Sequence, residues 1–324
     1  MTRKAPGKSH RKGITLLELV QLFPDEEAAR IWFEGILWPD GIRVCPRCES
    51  TNTHECTHAK MPYRCRDCRK YFSVKTGTVM TGSPLPLLKW VYAIYLDTTS
   101  LKGVASMKVH RDLGITQKTA WFMQQRIREA FAHEGAGPFD GPVEVDETYV
   151  GGRRKNMSNA KRKALADTGR GPMGKTAVVG AKDRASNRVA AKVVHETTAP
   201  VLVSFVQSNA SVGTTIYTDD ASAYQGLPNH ETVKHSVGEY VRDQIHTNGV
   251  ESFWSMLKRA YKGTFHKMSP KHLQRYVNEF AGRHNIRDLD TLHQMAIVAS
   301  GLVGRSLPYR HLIAANGLES GARA

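Results

Sequence analysis

Four cysteines stand as two Cys-x-x-Cys pairs, Cys45-Pro-Arg-Cys48 and Cys65-Arg-Asp-Cys68, with sixteen residues between them. Each pair brings two sulfurs together across a tight turn, and two such pairs supply the four thiolates of a closed tetrahedral site. Disulfides are the competing use of cysteine. Five cysteines in 324 residues, with Cys56 standing alone, fit a metal site in a reducing compartment better. Residues 42–76 are therefore expected to form a zinc ribbon, with Tyr63-Arg64-Cys65 and Tyr71-Phe72-Ser73 as its strand-prone flanks. A structural Zn²⁺ held by Cys45, Cys48, Cys65 and Cys68 has no open position for catalysis, and it stabilises a fold too small to rely on its own core. His54, Cys56 and His58 lie between the pairs and are bystanders to a filled site. Arg43, Arg47, Arg64, Arg66, Arg69 and Lys70 leave two readings open for the ribbon surface, nucleic-acid contact or a solvated basic face.

Lys and Arg number 46 against 30 Asp and Glu, a formal charge of +16, which favours a polyanionic partner. No run approaches the roughly 18 apolar residues of a membrane span. The basic start, residues 1–12, is followed by an apolar stretch that Glu18 and Pro24 interrupt, unlike a signal peptide. A soluble, cytoplasmic protein without membrane contact is expected.

The chain reads as several modules. Residues 1–41 are a basic tail and a helical cap, with helices at 14–23 and 25–37. The ribbon follows at 42–76. Residues 77–134 carry apolar positions every three to four residues and are expected to be helical, with a helix-turn-helix-like pair at 102–113 and 116–131 turning at Gly114. That pair would set Gln117, Lys118, Gln124, Gln125 and Arg128 against DNA, the other reading being that amphipathic helices of this sort are simply packing units. A turn-rich linker at 133–142 precedes a change to strand periodicity. Strands are expected at 143–150, 175–183, 188–195, 214–219 and 232–237, with helices at 198–210 and from 248, making an α/β domain over 135–300 before a tail at 301–324. The highly charged segment 153–174 is expected to be a mobile loop, either solvated or a DNA clamp.

Three acids share this later region. Asp146 lies in the alternating run Val143-Glu-Val-Asp-Glu-Thr-Tyr-Val150, Asp219 closes Thr214-Thr-Ile-Tyr-Thr-Asp219, and Glu251 opens a helical pattern. Two strand carboxylates and one helical carboxylate are hard oxygen donors suited to a pair of divalent cations, and such a pair can activate an oxygen nucleophile and stabilise a leaving oxygen in phosphodiester chemistry. Glu147 and Asp220 are the rivals, which strand alternation turns to the opposite face. On the helix Asn248, Glu251 and Lys258 share one face, and Phe253, Trp254 and Leu257 line another. Lys258 can then reach a phosphate.

At this point the chain resembles a known family. The order of zinc ribbon, helical region, Val145-Asp-Glu-Thr-Tyr-Val-Gly-Gly152, Tyr217-Thr-Asp219 with Tyr224, and His246-Thr-Asn-Gly-Val-Glu251-Ser-Phe-Trp254-Ser-Met-Leu-Lys258 is similar to bacterial insertion-sequence transposases of the DDE class, in the ISXO-like zinc-ribbon group with a fourth signature lysine. The resemblance continues through Gly263-Thr-Phe-His266, Ser269-Pro-Lys-His-Leu273 and Glu279, Phe280, Arg283, Asn285 and Arg287. It implies an RNase H-like catalytic domain, with Asp146, Asp219 and Glu251 binding two Mg²⁺ or Mn²⁺ ions and Lys258 as the signature lysine. It also implies double-stranded DNA partners (terminal inverted repeats and target), a homo-oligomer in the synaptic complex and a nucleoid-associated location. Two other readings share these features. One is a domesticated zinc-ribbon DNA-binding regulator, and the other an RNase H-like nuclease that cuts without strand transfer.

Overall fold

The computed structural model of the chain describes residues 13–132, 138–165, 174–219, 222–233 and 247–318. The basic tail 1–12, the linker centre 133–137, positions 166–173 of the charged segment, Asp220, the far part of the strand expected at 232–237, and His246 lie outside those residues. The chain divides into two compact units, one within Met1–Phe131 and Ile286–Ala314, the other within Ala132–Asn285 and Ala315–Ala324.

In the first unit, α1 (Leu16–Leu22) starts at Thr15, whose hydroxyl accepts the Glu18 amide while the Glu18 carboxylate accepts the Thr15 amide. Helix α2 (Glu26–Leu37) starts at Asp25, which accepts the Ala28 amide. Strands β1 (Thr53–Glu55), β2 (Tyr63–Cys65) and β3 (Tyr71–Phe72) form a three-stranded antiparallel sheet in that order. Helix α3 (Leu87–Thr99) has no side-chain cap of its own; the Glu26 carboxylate, distant in sequence, accepts the Leu87 and Leu88 amides at 2.7 and 3.0 Å.

The expected helix pair is present as α4 (Ser106–Leu113) and α5 (Gln117–Glu129), with Gly114 at φ 58° ending the first and Thr116 capping the second. Its expected DNA-reading face needs correction. Gln117 and Lys118 are exposed, but Gln124, Gln125 and Arg128 are 1 %, 0 % and 2 % exposed and cannot reach a duplex in this fold. They lie beside Ala120, Met123 and Ile127 on the packed side, and the Gln124 side-chain amide donates to the Val104 carbonyl at 2.8 Å. Composition conceals this, since a long polar side chain is buried as readily as an apolar one when the backbone offers it a partner.

The second unit is built on a five-stranded mixed sheet. In chain order its elements are β4 (Val143–Val150), α6 (Asn159–Ala164), β5 (Thr176–Asp183), β6 (Val189–Val194), α7 (Ala199–Asn209), β7 (Ile216–Asp219), β8 (His230–Val233), α8 (Asn248–Ala260) and α9 (Pro270–Asn285). The sheet order is β6-β5-β4-β7-β8; β5 is antiparallel to both of its neighbours, β4 and β6, and β7 and β8 run parallel to β4. Alternation along β4 separates two cores. Val150 joins Val178, Val250, Phe253, Trp254 and Phe280 on the α8 and α9 face, while Val143 and Val145 join Val179, Phe205 and Tyr224 on the α7 face.

The charged segment expected as a mobile loop contains a 3₁₀ turn at Arg154–Asn156 and helix α6. Ala, Lys and Arg are strong helix formers, so high charge by itself did not argue against a helix there. Edge strand β6 has a side-chain cover from α9. Gln274 and Asn285 accept the Val193 and Val189 amides at 2.7 and 2.8 Å, and Asn285 donates back to the Val189 carbonyl at 2.9 Å. The two amides close off a strand edge that would otherwise be open to pairing, which gives Asn285 of the later motif a part in the fold. Arg283 pairs with the buried Glu279 at 3.3 Å.

The chain then returns to the first unit as α10 (Thr291–Ser300) and α11 (Tyr309–Ile313). Met295, Val298 and Ala299 enter its core with Trp90, Val91 and Ile94. Among the described residues no helix is long and apolar enough to cross a membrane.

Candidate functional site

The cysteine site lies in the first unit. Cys45, Cys48, Cys65 and Cys68 have ligand atoms all within 4.8 Å of one another. The Cys45–Cys68 and Cys48–Cys65 sulfurs are 3.7 and 3.6 Å apart. Four sulfurs placed tetrahedrally at a Zn–S distance of about 2.3 Å would be separated by about 3.8 Å, so the spacing fits Zn²⁺ and is far longer than a disulfide. The thiols share protons unequally: the backbone amide of Cys68 leads in holding the Cys65 thiol down to about 7, while Cys48 is pushed up to about 12, so the fit to Zn²⁺ rests on the sulfur spacing. Two of the three bystanders are occupied elsewhere: Cys56 Sγ donates to the Met61 carbonyl, and His58 Nδ1 accepts the Lys60 and Met61 amides. Arg43, one of the basic ribbon residues, lies 3.9 Å over the Tyr63 ring and pairs with Glu55, so at least part of its role is to hold the ribbon together.

The acids lie in the second unit. Strands β4 and β7 run parallel with Val143 beside Ile216 and Glu144 beside Tyr217. Because side chains repeat every second residue, the same register continued by two brings Asp146 and Asp219 to one level on one face of the sheet. Helix α8 covers that face with Val250, Phe253, Trp254 and Leu257, all buried, and leaves Glu251 and Lys258 exposed. The Trp254 indole donates to Asp146 Oδ2 at 3.0 Å. It can lie that close to the strands because residue 180, which pairs with Asp146 across β5, is glycine; a Cβ there would sit 2.6 Å from the indole ring. Glu251 Oε1 accepts the Thr247 hydroxyl at 3.2 Å.

Helix α8 itself is anchored by Glu144, a residue the sequence did not single out. Only 2 % exposed, it accepts the Val250 amide at 2.9 Å and pairs with Arg184 at 2.8 Å, and the Arg184 guanidinium in turn lies 4.0 Å over the Tyr217 ring. A carboxylate at the first turn of a helix answers both its open amides and its dipole. The signal available was a second acid two residues before Asp146, on the same strand face.

Burial pushes the Asp146 carboxyl up to about 6; the negative charges of Asp219 and Glu251 add to this, and the Glu147 amide and the Trp254 indole oppose it. Asp219 and Glu251 thus act electrostatically on Asp146, although among the described residues the three acids do not close to the mutual 4.8 Å found for the four cysteines. Neighbouring carboxylates with an all-oxygen donor set fit a hard divalent cation such as Mg²⁺ or Mn²⁺. The rival Glu147 takes the other face. It accepts a hydrogen bond from the Tyr224 hydroxyl within the α7-side core, and burial pushes its carboxyl up to about 7 and the Tyr224 phenol far above its usual range.

Two adjoining cavities open beside Asp146, Glu251 and Lys258, and Asp219 is not among the residues that border them. One of about 470 Å³ is bordered by Asp146, Glu147, Glu251, Trp254 and Lys258. The second, of about 410 Å³, lies beyond Lys258 and is bordered by Tyr149, Arg153, Lys175, Tyr261 and Lys262.

Two domain families match the chain. Residues 24–71, which include all four clustered cysteines, match the transposase zinc-ribbon domain. Residues 138–285, which include Asp146, Asp219, Glu251 and Lys258, match the ISXO2-like transposase domain. A protein of Halobacterium salinarum, described as an uncharacterized protein in transposable element ISH50, is 29% identical over 284 residues, covering 82% of this chain and 93% of that protein.

Proposed function

We propose that this chain, which matches a transposase zinc ribbon followed by an ISXO2-like transposase domain, is an insertion-sequence transposase that cuts the ends of its own element and joins them to target DNA at a site formed by Asp146, Asp219, Glu251 and Lys258. The observation that carries this reading is the parallel register that sets Asp146 and Asp219 level on the sheet face covered by α8, with Asp146 raised first by burial and further by the charges of Asp219 and Glu251. An RNase H-like fold for residues 135–300 is supported by the strand order β6-β5-β4-β7-β8, antiparallel across the first three and parallel from β4 onward.

Asp146, Asp219 and Glu251 would hold a pair of Mg²⁺ or Mn²⁺ ions, which when bound supply Lewis-acid stabilisation of a phosphodiester undergoing in-line displacement. The residues of the chain do the rest. Trp254 donates to Asp146 Oδ2, which orients the carboxylate. Glu144 fixes the first turn of α8 and with it the approach of Glu251. Lys258, exposed and bordering the acid cavity, is placed to pair with a phosphate oxygen of the bound strand. Cleavage and joining are displacements of the same kind, so one site serves both in turn.

The test incubates purified protein with Mg²⁺ and DNA carrying the element's terminal repeats, comparing wild type with Asp146→Asn. Nicks at the ends and joined products from the wild type alone are expected. Protein that binds the ends but yields neither would sink the proposal, and nicks without joining would identify a nuclease instead.

A further inference from the structure

The acid cavity does not end at Lys258. It continues into the second cavity, with Glu147, Thr148, Lys258 and Lys262 bordering both. Asp146, Glu147 and Glu251 share the first cavity with Lys258, Arg259 and Lys262, whereas the second keeps Glu147 as its one carboxylate and adds Arg153 and Lys175 to Lys258 and Lys262. Lys258, Tyr261 and Lys262 stand at i, i+3 and i+4, one face of a helix, where α8 passes into the π-helical turn Tyr261–Phe265. On the opposite wall Lys175 passes directly over Gly151; a Cβ at residue 151 would lie 3.0 Å from the Lys175 Cα, so the backbone brings this lysine in against the end of β4. Arg153, Lys175, Lys258 and Lys262 are exposed, while Tyr261 is half-buried.

From this juxtaposition, and on the strength of the proposed reaction, we infer that the second cavity binds an unpaired nucleotide of the strand whose phosphodiester lies at the acids, with its base against Tyr261 and its phosphates on Lys175 and Lys262. Cations that track a backbone beside an aromatic face are the combination that selects single-stranded over duplex nucleic acid, because a paired base has no exposed face to stack. The volume, about 410 Å³, lies in the range of small-ligand pockets and suits one nucleotide rather than a duplex end. The excess of cations over carboxylates in the second cavity also favours a phosphate there, since Asp146 and Glu251 border only the first.

The experiment uses the full-length, zinc-loaded protein without added Mg²⁺, so that no cleavage occurs. Fluorescence anisotropy compares a labelled duplex bearing a 3′ oligothymidylate extension with the same duplex blunt. The wild type is expected to prefer the extended duplex. Tyr261→Leu should lower affinity for the extended duplex about tenfold with little change for the blunt one, and Tyr261→Phe should retain it. Lys175→Ala and Lys262→Ala should each reduce the slope of log affinity against log salt by about 0.7 on the extended probe. Melting temperatures equal to wild type exclude misfolding as the cause. The inference is overturned if the wild type binds both probes alike, or if all three variants keep the wild-type preference. Retained preference without any Mg²⁺-dependent nicking sinks the transposase reading alone, whereas nicking and joining without the preference sinks only this one.

Discussion

The Trp254 indole Nε1 donates a 3.0 Å hydrogen bond to Asp146 Oδ2 across the face of Gly180, binding a helix to the strand carboxylate at the centre of the candidate site. Trp254→Phe keeps most of the packing and removes this bond. The bond holds the Asp146 carboxyl down, so its loss moves that group's titration upward from about 6. Mg²⁺-dependent nicking measured against pH should show its acid limb displaced toward alkaline values, with activity at neutral pH reduced up to about tenfold.

Gly180→Ala tests the other side of the same contact. The added methyl would lie 2.6 Å from the indole ring, so the ring or the strand must shift. Overpacking of this kind costs about 1–3 kcal/mol. Chemical denaturation should record a loss of that order, and nicking should fall further than stability requires because Asp146 loses its orienting donor.

Glu144 is the structural acid of β4 and should behave unlike Asp146. Glu144→Ala leaves Arg184 and the first turn of α8 without their partner, at a cost of about 3–5 kcal/mol by urea denaturation. Asp146→Ala relieves a buried, mutually repelling carboxyl and should leave stability near wild type or above it while nicking is abolished. Equal destabilisation by the two substitutions would count against the separation of roles.

The metal-free protein should lose stability as pH rises. Asp146 and Glu147 are raised in the fold, from 3.8 to about 6 and from 4.5 to about 7, so the folded state binds more protons than the unfolded chain between those values. Their contribution is fully present below about pH 4 and is lost as pH passes through 6 to 7. Thermal melts in that window should show the decline, and added Mg²⁺ should oppose it increasingly as the pH rises.

The zinc site should respond to cysteine identity in a simple pattern. Cys45→Ser or Cys68→Ser should lower bound zinc from about one ion per chain and unfold residues around 42–76, whereas Cys56→Ser should leave zinc content and melting unchanged. Metal analysis after gel filtration, paired with limited proteolysis, reads both outcomes.

Much of the fold was legible locally. The cysteine spacing, the period-two run at Val143–Val150, the cap at Thr116 and the left-handed Gly114 each depend on residues a few positions apart, and chain geometry there leaves few choices. Asp146, Asp219, Glu251 and Lys258 were candidates by residue type and spacing alone. What decided their neighbourhood is non-local. The parallel register of β4 with β7 sets two of the acids level, Gly180 admits Trp254, and Glu144 holds the start of α8, over separations that no sequence period encodes. Tertiary packing also buried Gln124, Gln125 and Arg128, which by composition looked ready to read DNA, and returned residues 286–314 to the first unit. The sequence by itself determined which side chains could do chemistry and which elements carry them. Only the packed structure, where burial changes the cost of charge and a missing Cβ admits a ring, decided which of them meet.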